Sequence, residues 1–145
     1  MQGQANHFLH AAPGDKLPYP IQRYVGESER LYGILDARLA ERDYVAGSGP
    51  RGSYSIADIS LIGWASISSF SGIDVAEKFP NVKKWLERVH ARPAVQRGLR
   101  VPSGELSPVA NGSLEASEQG RKRLEEGRKI VEEAKREFGY KYSSP

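Results

Sequence analysis

From Ile21 onward the apolar side chains fall at Tyr24, Val25, Leu31, Tyr32, Leu35 and Leu39, with Ser28 completing the row. Steps of three and four lay such a row along one face of a long amphipathic helix. Arg23, Glu27, Glu29, Arg30 and Arg38 take the opposite face. Pro18 and Pro20 stand just ahead, where proline suits a helix start and stops an upstream helix from running on, so a bend between helices is expected there. The stretch Gly47-Ser48-Gly49-Pro50-Arg51-Gly52-Ser53 is too rich in Gly and Pro for regular structure and reads as a flexible connection. It has no Lys after its glycines, as a Walker phosphate loop would need.

Beyond the loop the pattern changes. Ser55 and Asp58 stand three apart ahead of an apolar run, the spacing at which a serine oxygen takes a free helix N–H while the carboxylate reaches back to the serine N–H. Tyr54 and Ile59 flank this cap as a hydrophobic staple. Ile59 to Phe70 is apolar or small almost all the way round, which predicts a helix buried inside a bundle. Gly72 and Asp74 break it, Pro80 opens a helix striped with Val82, Trp85, Leu86 and Val89, and Pro93 closes that one before a short last turn through Leu99. Strand signals are nearly missing, so the expected class is all-α, a helical bundle over residues 1–102. Residues 103–113 read as a linker, and 114–145 as an extra charged helix with Glu118/Lys122, Glu125/Lys129 and Glu132/Arg136 at supporting spacing. The tail's apolar seam, Leu124, Val131, Ala134 and Phe138, shares its face with Gly120 and Gly127. Packing on the bundle, pairing with another chain and fraying all fit it.

Composition narrows the chemistry. With no cysteine among 145 residues, disulfides, a thiolate metal site and a cysteine nucleophile are out. No apolar run approaches the roughly 20 residues that cross a bilayer, and no signal peptide opens the chain, so a soluble, cytoplasmic protein is expected. On that reading the sequon Asn111-Gly112-Ser113 is a turn. The net charge of +3 is spread without a basic block, which argues against nucleic acid as a partner. His7 and His10 have no carboxylate at ligand spacing, so no metal is expected. Neither a G-x-S-x-G elbow nor a strand to mount it supports a serine hydrolase.

The order of long helix, loop, capped helix and KFPNVKKWLERVHARPAV resembles the all-helical C-terminal domain of cytosolic glutathione transferases over roughly residues 1–102. MQGQANHF, HAAP, IQRYVGESERLYGILDARL and YSIADI are similar to the nu-class enzymes and to the relatives of the yeast nitrogen regulator. Helical tails like this one occur in some fungal members. The resemblance implies that MQGQANHF belongs within a longer first helix, that Met1 is an internal family residue, and that a thioredoxin-like domain holding glutathione and activating its thiol lies outside this chain. It also implies that Arg23 reaches a glutathione carboxylate, a role suited to a fixed, charged fork.

Met1, Gln4, His7, Phe8 and Tyr24 are the expected wall of an apolar substrate pocket. Glutathione is expected as a ligand only with a complementing thioredoxin-like domain. Three functions are carried forward: the hydrophobic-substrate half of a glutathione transferase, a stand-alone protein-interaction scaffold, and a glutathione-independent isomerase, cyclase or dehydratase acting on a hydrophobic metabolite. For the last, Tyr24, Tyr32, His7 and His10 are the proton donors on offer. A hydrophobic small molecule or a protein is expected at the face a missing domain would leave bare, and a homodimer is among the expected assemblies.

Overall fold

Two short turns begin the chain, α1 (Gln2–Asn6) and a π-helical continuation over His7–Ala11, and the proline bend then leads into α2 (Pro18–Leu39). The structure is a computed structural model that describes residues 1–12, 17–101 and 118–138. Pro18 and Pro20 fall inside the first turn of α2, where the missing N–H costs nothing. Next come α3 (Ile56–Ser66), a 3-10 turn (Ser68–Ser71), α4 (Val75–Lys78), α5 (Pro80–His90), α6 (Pro93–Gly98) and α7 (Glu118–Phe138). Every regular element among the described residues is helical. α2 is the axis of the bundle, touching α1, α5 and α7. It carries two apolar rows: Ile21, Val25, Ser28, Tyr32 and Leu39 are buried in the core, while Tyr24, Leu31 and Leu35 lie at its edge.

The predicted cap is present and does more than end a helix. Asp58 is fully buried. Its Oδ2 accepts the Ser55 N–H at 2.9 Å and the Ser55 hydroxyl at 3.2 Å, while Ser55 Oγ takes the Ala57 N–H at 3.3 Å. Oδ1 accepts the Trp85 indole N–H at 2.8 Å and the Val45 N–H at 3.1 Å. One carboxylate therefore joins the loop before α3, the start of α3 and the middle of α5.

α5 is capped from outside itself. Its own N-cap, Phe79, has no acceptor, and Asp36 of α2 takes the N–H groups of Asn81 and Val82 at 2.8 and 3.0 Å and the Asn81 amide at 3.0 Å. Asp36→Ala is expected to cost about 1–2 kcal/mol, the range of a lost cap. Asp36→Asn, which keeps an acceptor, should retain most of it. Thermal unfolding of the two variants tests this, and equal losses would show that the cap is not the source.

Three expectations need correction. The first concerns the apolar run after Asp58, which is not buried: in α3 Ile56 is 81% exposed, Ile59 55% and Trp64 49%, and the helix inserts only Asp58 and Ala65 into the core. An apolar circumference calls for cover on all sides, and this chain supplies it on one. The run also divides, with Ser68–Ser71 forming a separate 3-10 turn. Secondly, the exposed Ile59 is not clamped as a staple; Tyr54 instead meets the Tyr44 ring edge-on at 5.9 Å and lies under the Arg92 guanidinium at 3.9 Å.

The third correction is the loop, which is a braced turn and not a loose connection. Asp43 and Tyr44 N–H bond to Arg51 O, and Ser53 N–H bonds to Ala46 O. Gly47, Gly49 and Gly52 have φ between +73° and +87°, which explains why this segment is written in glycine. At Gly52 a Cβ would also sit 2.6 Å from Ala46 O.

The tail helix α7 packs back onto the bundle. Val131 and Ala134 are 2% and 0% exposed and belong to the core cluster, with Leu124 buried beside them. Lys135 lies 3.5 Å from Glu29, which also binds Lys78 at 2.7 Å, and Arg128 lies 3.4 Å from Asp74. The Glu118–Lys122 and Glu125–Lys129 pairs form as expected, and Glu132 meets Lys135 at 3.9 Å. The expected linker 103–113, with the sequon Asn111-Gly112-Ser113, lies outside the described residues.

Candidate functional site

Where α1, α2 and α3 meet, the outer apolar row of α2 forms one bank of a groove of about 370 Å³. Leu31 and Leu35 come from α2, Leu61 and Trp64 from α3, and Met1 and Gly3 close the end. The Trp64 ring lies over Gly3, at a distance where a Cβ would make ordinary contact with it, 3.5 Å. Met1, Leu31 and Trp64 are 57%, 44% and 49% exposed, and Ile34, 42% exposed, follows Leu31 along α2.

The polar groups on the groove floor are committed to each other. Gln2 Nε2 donates to Trp64 O at 2.9 Å, the Tyr32 hydroxyl donates to Gln2 Oε1 at 2.8 Å with Trp64 O at 3.2 Å, and Ser28 Oγ donates to Tyr24 O at 2.7 Å. Burial pushes the Tyr32 phenol well above its ordinary value. A hydroxyl that is buried, bonded and hard to ionise offers neither a base nor a ready acid near neutral pH. A guest is met by apolar surface and shape.

Of the five expected pocket residues, Met1 alone lines this groove. Gln4 and His7 are exposed on α1 and the turn after it. Phe8 stacks on Tyr24 at 5.7 Å with rings 8° from parallel, and His7 meets Phe8 edge-on at 5.2 Å. These aromatic residues form a second cluster up the α1–α2 seam, tied to the groove through the Ser28–Tyr24 bond. Arg23 is exposed on α2 one turn before Glu27. The Arg30 guanidinium holds the Glu27 carboxyl below its usual range, with a smaller contribution from Arg23. His10 is held apart from His7, its Nε2 2.7 Å from Phe70 O and its ring stacked on Phe70 at 4.0 Å. Among the described residues no three metal-binding side chains gather, and no helix is long and apolar enough to cross a membrane.

The groove residues missed from the sequence are Leu31, Leu35, Leu61 and Trp64, all assigned to the core or passed over. Two apolar rows on α2 instead of one were the available signal.

A second cleft, also about 370 Å³, lies between the end of α3, α5 and α7. In it His90 Nε2 is 2.9 Å from Ser66 Oγ, whose own proton goes to Ile62 O at 2.7 Å. With that proton committed, the hydroxyl serves as acceptor to an Nε2–H tautomer, the reverse of what a histidine base acting on a serine nucleophile requires. Burial lowers the His90 pKa.

The family described as glutathione S-transferase, C-terminal domain, matches residues 21–93. The disulfide-bond oxidoreductase YfcG of Escherichia coli (strain K12) is 42% identical over 99 residues, covering 68% of this chain and 43% of that protein. Protein URE2 of Candida albicans is 32% identical over 130 residues, covering 69% and 37%. Among solved structures, Ure2p in complex with S-hexylglutathione superposes with a TM-score of 0.60 at 33% identity over 68% of this chain and 47% of that one. Ure2p in complex with glutathione matches equally well, with 45% of that chain covered. This chain thus spans less than half the length of these relatives.

Proposed function

The chain belongs to the glutathione S-transferase C-terminal domain family, and from that premise we propose that it is the helical, hydrophobic-substrate half of a glutathione transferase-type protein, dependent on a second module for thiol chemistry. The groove is the observation that carries this reading. Its exposed lining is apolar and its polar floor is closed upon itself, an arrangement that selects a guest by shape and burial.

Activation of a thiol needs a placed donor or a positive field at the sulfur, and the groove has neither to spare. Tyr32 is committed to Gln2 and Trp64. Of the groups of glutathione, this reading gives a counterpart only to a carboxylate, the charged fork of Arg23. A single such contact does not hold a tripeptide. Ure2p structures carry glutathione and its S-substituted forms, and YfcG is named for disulfide-bond chemistry, so a thiol or its conjugate is the fitting co-substrate once a thioredoxin-like module is supplied.

Exposed Ile34, next to Leu31 at the groove's edge, favours a second reading, in which this face docks a protein and no small molecule. Calorimetric titration, with light scattering to fix the assembly state, separates the two. The chain alone should give no saturable heat with reduced or oxidised glutathione. It should take up S-hexylglutathione through the hexyl group, and Trp64→Ala should weaken that uptake several-fold. Adding a thioredoxin-like module from a relative should create glutathione binding that falls about tenfold in Arg23→Ala, the scale of one charge-assisted contact. Sub-millimolar glutathione binding by the chain alone would overturn the dependence on a second module. Complex formation with that module but no uptake of any apolar compound would select the docking reading.

A further inference from the structure

Four arginines that are scattered in sequence, at 38, 42, 88 and 92, meet on the single turn 43–54, which carries a fifth, Arg51. Arg38 Nε donates to Val45 O at 3.1 Å and Arg42 Nη2 to Gly47 O at 3.1 Å. Arg51 makes two bonds to the Asp43 carboxylate, at 2.6 and 2.7 Å. Arg88 reaches the Asp43 carbonyl at 2.8 Å and its carboxylate at 3.2 Å, and Arg92 lies over Tyr54. Against these five charges the turn itself sets Asp43. Asp58 beneath is buried and already accepts four donors, and Glu41 is the neighbouring exposed carboxylate in sequence. Cations remain in excess.

Donors are in excess too. The buried Nε atoms of Arg42 and Arg92 have no acceptor among the described residues. Among the described residues the N–H groups of Gly47, Ser48 and Gly49 meet no backbone acceptor, and all three residues are exposed. Gly47 and Gly49 have positive φ while Ala46 and Ser48 do not, an alternation of backbone hand of the kind from which anion-binding concavities of successive N–H groups are built. Guanidinium forks beside a row of amide donors complement a group with several oxygens around one centre.

We infer that the braced turn, with Arg38 and Arg42 at its edge, is a binding site for a multiply charged phosphate-type oxyanion, separate from the apolar groove. No deep cavity is needed, since a head group is recognised and not a body. That group arrives either on a small soluble molecule or at the surface of an anionic bilayer, and the chemistry at the turn is the same.

The test follows amide shifts of the full chain during titration with inorganic pyrophosphate, at ionic strength held constant with chloride so that screening does not change. Saturable shifts confined to residues 46–52, with sub-millimolar affinity, are expected. Arg38→Gln, an exposed position, should weaken binding about tenfold, and Arg38→Gln with Arg42→Gln should abolish saturation. Thermal unfolding without ligand shows whether each variant is folded, and the single variant suffices if the double one is not. Sedimentation with vesicles containing phosphatidic acid, against neutral vesicles, separates the sources: pyrophosphate saturation alone assigns a soluble ligand, and arginine-dependent vesicle binding assigns a head group. Linear shifts spread over all basic residues, including α7, or saturation unchanged in the Arg38 variant, would overturn the site.

Discussion

Replacing Asp58 by alanine is expected to remove about 3–5 kcal/mol of stability. Three of its partners are backbone or indole N–H groups, those of Ser55, Val45 and Trp85, and each buried donor left without an acceptor costs about 1–3 kcal/mol. Domains of this kind have in all about 5–15 kcal/mol. Ser55→Ala, which loses the Ala57 contact and the hydroxyl's bond to Asp58 but leaves the buried N–H donors their acceptor, should cost about 0.5–2 kcal/mol. Urea unfolding reads both as shifts in midpoint at constant slope. If the two variants differed by less than about 0.5 kcal/mol, a distance within the noise of such series, Asp58 would be an ordinary cap and not the junction of three segments.

The second large effect is expected at Val131→Asp. This side chain is 2% exposed, and in the bundle it touches the position where Gly72, at φ +72°, leaves room: a Cβ on Gly72 would come within 3.0 Å of it. Removing the methyl groups forfeits about 1.5–3 kcal/mol of burial, and an unpaired carboxylate in the seam costs more. The loss has a ceiling, because α7 can detach and leave the rest of the bundle folded. A free 21-residue helix interrupted by glycine is marginal in water, so detachment means unfolding of that segment. Amide exchange should become fast throughout 118–138 while Val82, Trp85 and Val89 of α5 stay protected. Protection retained in α7 would show that the seam is not what holds it.

The helices were legible because their signals are local. The three- and four-residue spacing of α2, the prolines at the starts of α2 and α5, Pro93 at the corner after α5, and the Ser55–Asp58 box each act within a few residues, and the structure keeps them all. What α3 faces was not legible. Ile59 and Trp64 are apolar whether a neighbour covers them or not, and periodicity reports the side chain, never the cover. The turn 43–53 was misjudged for a related reason: its glycines mark unusual φ angles, but the braces that fix it come from Arg38 on α2 and from Arg88, far along the chain in α5.

The site divided in the same way. Met1 lines the groove, Phe8 and Tyr24 spend their faces on each other, and Leu31 and Leu35 were counted into a single stripe. The two rows lie about 70° apart on one helix, so that one faces the core and the other borders it. Tyr24, Leu31 and Leu35 recur at seven and four, while Ile21, Val25, Ser28 and Tyr32 recur at four, three and four.

The chain has two tryptophans, and they stand at opposite extremes. Trp85 is sealed in the core with its indole N–H on a carboxylate, and Trp64 leans half-bare over the groove. Nature has in effect installed a pair of optical reporters with separable colours: the sealed indole changes its emission when the fold opens, and the bare one when the groove fills.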